Sequence, residues 1–157
     1  DLVTGGGTGT HRIDAALGLF TELQAGSYIF MDDQYRACDL TGDGKVPFED
    51  ALFLESRAIS ANTPGMVTLD AGLKAVSTDA DPPQPAAGAP EGARFRFMGD
   101  EQGALDLPAG AALTPGEMVT LSVPHCDPTV NLYDHYHVVR GDTLVAIWPI
   151  AARGRSR

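Results

Sequence analysis

The stretch Tyr136-His137-Val138-Val139-Arg140-Gly141-Asp142-Thr143-Leu144-Val145-Ala146-Ile147-Trp148 decides the fold class. Aromatic and β-branched residues run up to a Gly-Asp pair and away from it again, the signature of two strands joined by a two-residue turn. Working outward, Met118 to Val123 alternates apolar and polar residues and stops at Pro124. Arg94-Phe95-Arg96-Phe97 alternates charge and ring, as a half-exposed strand does. Met66 to Leu69 reads as a strand following the turn Thr63-Pro64-Gly65. Between these, Asp79 to Gly92 carries Pro82, Pro83, Pro85 and Pro90 with little apolar bulk. It reads as a disordered surface excursion. The second half is therefore mainly β.

The first half has another texture. A short strand end leads into Gly5-Gly6-Gly7-Thr8-Gly9-Thr10, too glycine-rich for the middle of a helix or strand. Ile13 to Phe20 is short and apolar, with Asp14 as a helix cap. Ser27-Tyr28-Ile29-Phe30-Met31 reads as a buried strand ending at Asp32-Asp33. Asp39 to Asp50 is a polar loop. Ala51 to Ser60 follows neither the helical nor the strand period cleanly. The composition shifts near Cys38 to Lys45, which places a domain boundary there.

With 157 residues the chain has room for one domain, or for one domain and a piece of another. A hydrophobic share of 43% is enough for a core. The net charge of −10 and the lack of a basic stripe exclude nucleic acid as a partner. The basic tail Arg153, Arg155 and Arg157 reads as a frayed end. No run approaches a membrane span and no signal peptide is visible, so a cytoplasmic location is expected. Cys38 and Cys126 allow one disulfide but no disulfide framework. The chain begins with Asp1 rather than Met, which marks it as processed or as a fragment.

Three motifs carry chemistry. Backbone N–H groups of a Gly-rich turn can wrap a phosphate, and Gly5 to Thr10 has that shape without the Lys of a nucleotide-binding loop. The ordinary alternative is a flexible turn. Asp39 to Asp50 follows the calcium-loop template, with oxygens at Asp39, Thr41 and Asp43, Gly44 at the sixth position and Asp50 at the twelfth. Against calcium, Asp50 is shorter than the usual Glu, Pro47 offers no side-chain oxygen, and Ile29 to Arg36 reads as strand and loop rather than an entering helix. An acidic surface loop is the simpler reading. In Pro124-His125-Cys126-Asp127, an extended backbone puts His125 and Asp127 on one face, where a nitrogen and a carboxylate can grip a divalent ion. Cys126 faces the other way, and a turn-forming His beside a buried Cys is the competing reading. His135 and His137 share a strand face and receive no role. Leu69 to Asp79, with polar groups and a glycine directly after a strand, suits a site-lining turn. Lys74 in it would be a nucleophile only if desolvated and is read as solvated surface.

Val3-Thr-Gly-Gly-Gly-Thr-Gly-Thr10, Thr21-Glu-Leu-Gln-Ala-Gly-Ser-Tyr-Ile-Phe-Met-Asp32, Leu69-Asp-Ala-Gly-Leu-Lys-Ala-Val-Ser-Thr-Asp79, His125-Cys-Asp-Pro-Thr-Val-Asn131 and Trp148-Pro-Ile150 occur in this order. The series resembles the C-terminal part of the D-threonine aldolase and D-serine dehydratase-like family, pyridoxal-phosphate enzymes of the alanine-racemase type. The resemblance implies the end of a (β/α)8 cofactor-binding barrel over residues 1–36 and a β-barrel or sandwich-like domain over residues 37–157. It turns Ala51 to Ser60 into a strand. It implies that Gly6, Gly7, Thr8, Gly9, Thr10, Gly26 and Ser27 hold the cofactor phosphate, the last two on the final barrel strand, with Gln24 facing the pyridine ring. It implies a divalent metal, Mn²⁺, Mg²⁺ or Zn²⁺, on His125 and Asp127, with Cys126 ranked behind them.

No segment matches the family's Schiff-base lysine, and neither Lys45 nor Lys74 lies in its place. The resemblance thus implies a truncated enzyme, inactive alone and homodimeric at full length. Its substrate is a β-hydroxy-D-amino acid, cleaved to glycine and an aldehyde. D-serine or 3-hydroxyaspartate dehydration is the alternative within the family, and a non-catalytic calcium-binding module is the alternative outside it.

Overall fold

A computed structural model describes residues 1–155, so Arg157 of the basic tail lies outside the described residues. The architecture is mainly β. A six-stranded sheet, antiparallel at every pairing, is ordered β5-β8-β3-β4-β7-β6. Its strands are β3 (Phe53–Thr63), β4 (Met66–Leu69), β5 (Pro85–Ala87), β6 (Arg94–Phe97), β7 (Gly103–Asp106) and β8 (Met118–Ser122). The expected hairpin is present as β9 (His135–Arg140) and β10 (Thr143–Pro149), turning at Gly141-Asp142 with Gly141 at φ 55°.

The sheet buries one face. Along β3, Ser56 and Ala58 point inward while Glu55, Arg57 and Ile59 are exposed, the period-two pattern of a half-buried strand. Small residues at two of its inward positions explain why the hydrophobic period of Ala51 to Ser60 is weak. Register stacks the core: Leu121 lies opposite Leu54, Leu69 opposite Ala58, and Leu105 opposite both Val67 and Phe95. Leu113 and Ala71 close the cluster from the loops. At the β6 edge, outward Arg96 pairs with Asp106 through Nε at 2.9 Å, and charged side chains protect a free edge.

Two expectations change here. Asp79 to Gly92 is not a disordered excursion, because Pro83 is buried and β5 pairs with β8. Pro85 is tolerated because β5 is an edge strand, where a missing N–H breaks no ladder on the open side. The tail is also partly tied: Arg153 reaches Asp134 at 2.5 Å and the Asn131 carbonyl.

The first 50 residues are short pieces. β1 (Thr4–Gly5) and β2 (Glu22–Leu23) pair in parallel, flanking α1 (His11–Leu17). Thr10, not Asp14, holds the cap position of α1, and Asp14 in the first turn accepts from the Thr10 hydroxyl at 2.5 Å. Ser27 to Met31 is not a buried strand. Ser27–Ile29 forms one 3-10 turn, with Tyr28 and Ile29 exposed. The bend continues through Met31 at φ 53° into α2 (Asp33–Arg36). Gly26 and Ser27 therefore lie beyond the strand, which ends at Leu23. Cys38 is exposed, Cys126 is buried, and both are free thiols.

Candidate functional site

The Gly-rich turn, which leaves β1 after Gly5, and the Gly26-Ser27 bend, which follows β2, come together. The Gln24 amide donates to the Gly5 carbonyl at 3.1 Å. The Tyr28 amide donates to the buried Thr8 hydroxyl at 3.2 Å. Among the described residues, the amides of Gly7, Thr8, Gly9, Gly26 and Ser27 find no internal acceptor. Space beside Gly7 and Gly26 is open, since an added Cβ at either meets nothing within 4 Å. Free N–H groups beside open space are what a phosphate needs. Gln24 is exposed just after β2. Thr10 is turned toward α1 by its bond to Asp14.

His125 and Asp127 also meet, by a route other than the extended one expected. His125 alone is extended, at φ −143° and ψ 117°, and caps α3 (Cys126–Val130), so Asp127 lies in a helical first turn. Even so, His125 Nε2 stands 3.7 Å from Asp127 Oδ2. Two ligands sharing an ion at about 2.1 Å each stand roughly 3.0–3.4 Å apart, so a small side-chain motion brings these to bonding distance. Both are accessible, with side-chain exposures of 27% and 70%, which leaves room for water or substrate as further ligands.

Cys126 does not point away from the pair, because the helical turn places its thiol 3.5 Å from Asp127 Oδ2, to which it donates. Its side chain is buried, and desolvation above all pushes the thiol up to about 12.

The turn carrying this pair is clamped from two sides. From the first half, buried Asp32 accepts from the Cys126 amide at 2.9 Å through Oδ2 and from the Tyr35 amide at 2.9 Å through Oδ1. The Asp33 and Gln34 amides donate to the carbonyls of Val123 and Pro124. From the sheet, the loop after β4 docks on α3: Ser77 Oγ accepts from the His125 amide, and the Ser77 amide donates to Thr129 Oγ1 at 3.0 Å. Asp79 Oδ2 lies 2.7 Å from His125 Nδ1. Asp32, Ser77 and Thr129 all lie in the segments that carry the family resemblance, but none was singled out, because a residue that clamps a backbone has no chemical signature of its own.

The two candidate sites touch. Ser27 Oγ donates to Asp127 Oδ2 at 3.2 Å across 100 positions of sequence. Ser27 thus offers its amide to one site and its hydroxyl to the other.

Of the remaining candidates, the Asp39 to Asp50 loop lies beside the Gly-rich turn, with Arg12 Nη1 donating to the Thr41 carbonyl at 2.8 Å and Gly9, Thr10, Asp39 and Thr41 lining one pocket. In the Asp39 to Asp50 loop, Asp39 Oδ1 accepts from the amides of Gly42 and Gly44, and Asp43 from Thr41 and Lys45. Asp50 at the twelfth position is paired with Arg36. A helical turn, α2, precedes this loop, where a strand and loop were expected. Lys74 bonds Glu101 at 2.6 Å, and this partner raises its pKa, the opposite of what a nucleophile needs. His135 and His137 alternate with half-buried residues along β9. No helix among the described residues is long and apolar enough to cross a membrane.

Comparison with known proteins reaches the same region. The family model described as "Putative serine dehydratase domain" matches residues 51–139, which include β3 to β8, Asp79 and the His125 turn. A D-threonine aldolase from Arthrobacter sp is 44% identical over the whole chain, which covers 41% of that protein. A 3-hydroxy-D-aspartate aldolase from Paracoccus denitrificans is 35% identical over 99% of the chain, covering 40% of that protein. The crystal structure of D-threonine aldolase from Filomicrobium marinum superposes with a TM-score of 0.90 at 35% identity, over 99% of this chain and 42% of that one. The chain thus spans about two fifths of the length of the curated relatives it matches. Its antiparallel sheet, its His125 turn and the match over residues 51–139 agree on one conclusion: the chain belongs to the serine dehydratase domain family.

Proposed function

We propose that this chain supplies the metal-binding turn and part of the phosphate cradle of a pyridoxal-phosphate- and divalent-metal-dependent lyase acting on β-hydroxy-D-amino acids. The observation that carries the proposal is the Ser27–Asp127 hydrogen bond, which sets a row of unpaired amides beside a His-carboxylate pair. A phosphate-bearing cofactor and a cation held there would be neighbours. Two relatives, at 44% and 35% identity, are named as aldolases, so we place cleavage to glycine and an aldehyde ahead of D-serine or 3-hydroxyaspartate dehydration.

The residues fit both groups. The amides of Gly7, Thr8, Gly9, Gly26 and Ser27 offer a dianion several hydrogen bonds at once, and Gly6 provides the left-handed turn at φ 72° that aims them. Gln24, exposed and tied by its backbone amide to the Gly5 carbonyl, is the residue assigned to the pyridine ring. His125 and Asp127 offer one nitrogen and one oxygen, a donor set suited to Mn²⁺, Mg²⁺ or Zn²⁺. The cofactor, when bound, supplies the electron sink for breaking a bond at Cα. The cation, when bound, polarises the substrate hydroxyl.

This chain's own part is binding and orientation: amides fix the phosphate, and His125 with Asp127 fixes the hydroxyl end. No catalytic residue is assigned in it. Lys45 and Lys74 are both exposed and ion-paired, with Asp43 at 3.0 Å and with Glu101 at 2.6 Å. We therefore place the cofactor-bearing lysine outside residues 1–157, treat residues 1–36 as barrel and 37–157 as the β domain, and expect this chain alone to be inactive. A persistent new absorbance band on mixing it with pyridoxal phosphate would overturn that. A homodimer and a cytoplasmic location are proposed for the full-length protein on the same family grounds.

The full natural polypeptide is expected to release acetaldehyde and glycine from D-threonine in the presence of Mn²⁺. Ammonia and pyruvate from D-serine, without aldehyde, would reverse the order of the two lyase readings. Calorimetry with Ca²⁺ and Mn²⁺ on wild type, Asp43→Ala and His125→Ala tests the metal site. Binding abolished by Asp43→Ala and untouched by His125→Ala would replace the His-Asp site with the calcium loop.

A further inference from the structure

We propose that Asp79 is a positioning residue of the metal centre, holding His125 in the tautomer that leaves Nε2 free and aimed at the space it shares with Asp127. The proposal rests on the His125–Asp127 reading above and adds a residue to it. The argument starts from donor and acceptor chemistry. An ionised carboxylate only accepts, so the 2.7 Å contact between Asp79 Oδ2 and His125 Nδ1 requires the hydrogen on Nδ1. In the neutral ring Nε2 then carries the lone pair. That lone pair lies 3.7 Å from Asp127 Oδ2, an oxygen that is itself electron-rich. Two such atoms repel unless a cation or proton lies between them. The carboxylate behind the ring thus makes the gap in front of it a place for a cation.

The geometry is built rather than incidental. Asp79 lies on the loop whose Ser77 is buried and takes part in two bonds to the His125 turn, one from the His125 amide and one to Thr129 Oγ1. Thr129 Oγ1 in turn donates to the His125 carbonyl at 2.8 Å. These bonds fix the backbone on both sides of the Asp79–His125 contact, so the carboxylate needs little ordering to reach the ring. Imidazole ligands commonly donate their second N–H to a carboxylate, which sets the ring's orientation and raises its basicity. Asp79 is exposed and outside the core, so its loss leaves the sheet intact.

The test uses the full natural polypeptide in its metal-free form, selectively labelled with ¹⁵N-histidine, together with Asp79→Ala, Asp79→Asn and His125→Ala. Nitrogen shifts of His125 are expected to report the Nδ1–H tautomer in wild type and its loss in Asp79→Ala. Titration with Mn²⁺ alone is expected to show about 10–100-fold weaker binding in Asp79→Ala, with partial recovery in Asp79→Asn, whose carbonyl still accepts. Thermal melts of the variants should match wild type. If His125→Ala abolishes binding while Asp79→Ala binds Mn²⁺ as wild type does, the Asp79 role fails and the metal site stands. If wild type shows no Mn²⁺ binding, the metal site itself fails and Asp79 loses its role with it.

Discussion

The six-stranded sheet and the first 50 residues bury their chain in different ways. In the sheet, Val67, Leu69, Leu105, Val119 and Leu121 are at most 1% exposed, and each has a cross-strand neighbour set by register. In the first 50 residues, Leu2, Val3, Ile13, Leu17 and Leu19 are exposed, and no residue of α1 is buried. What is buried there is Thr8, Met31, Asp32 and Leu40, and of these Thr8 accepts from the Tyr28 amide and Asp32 from the Cys126 amide. The sheet is stabilised by its own apolar face. The first region is ordered locally by polar bonds, and it is held to the sheet domain by Asp32, Asp33 and Gln34.

Substitutions can break or sharpen this contrast. The largest effect is expected in the sheet: Leu105→Ala should cost about 2–5 kcal/mol by transfer and cavity terms, measured by urea unfolding of this chain. Ile13→Ala in α1 should stay within about 0.5 kcal/mol. Equal costs would end the distinction.

Glycine plays different parts in the two regions. A Cβ at Gly103 would run into the Phe95 ring and the Ala71 carbonyl, so Gly103→Ala should cost about 1–3 kcal/mol in the same assay. Gly7→Ala meets open space and should leave stability within about 1 kcal/mol. It should instead weaken pyridoxal phosphate binding by the full natural polypeptide, read by fluorescence titration.

Asp32 tests the link between the regions. Asp32→Asn keeps only one of two acceptor oxygens for the Tyr35 and Cys126 amides, and should cost about 1.5–3 kcal/mol. A thermal melt unchanged from wild type would mean the clamp is not what joins them.

The smallest effect lies in a surface turn of the sheet domain. Thr114 donates from both amide and hydroxyl to Glu117, and the amide bond, ahead of the hydroxyl, lowers the Glu117 pKa. A lowered folded pKa gives stability that is complete above the ordinary value of 4.5 and is lost as pH falls through the folded value. The melting-temperature gap between wild type and Glu117→Gln should therefore be constant near neutrality and close below about pH 4.5. A gap that widens on acidification would contradict the bond.

Elements whose signal is local were legible. The β9–β10 hairpin follows from Gly141-Asp142 between apolar runs, and β6 follows from the Arg-Phe alternation. Ser27 to Met31 was misread because its apolar run suits a strand by composition, whereas Gly26 before it and the left-handed Met31 within it bend the chain. The edge strand β5 was hidden because its prolines mimic a loop. His125 and Asp127 were found as a pair, but by an alternation that α3 replaces with a helical turn.

By itself, the sequence determined the mainly β class and the positions of most strands, and it nominated the side chains and amides whose atom types suit a metal and a phosphate. These depend on side-chain period, turn residues and atom types, all encoded within a few positions. Tertiary structure alone decided that Ser27 meets Asp127, that Asp32 clamps Cys126, and that Asp79 stands behind His125. Those contacts join residues 46 to 100 positions apart, and their geometry is set by the register of the sheet and by where its loops close, which no local pattern records.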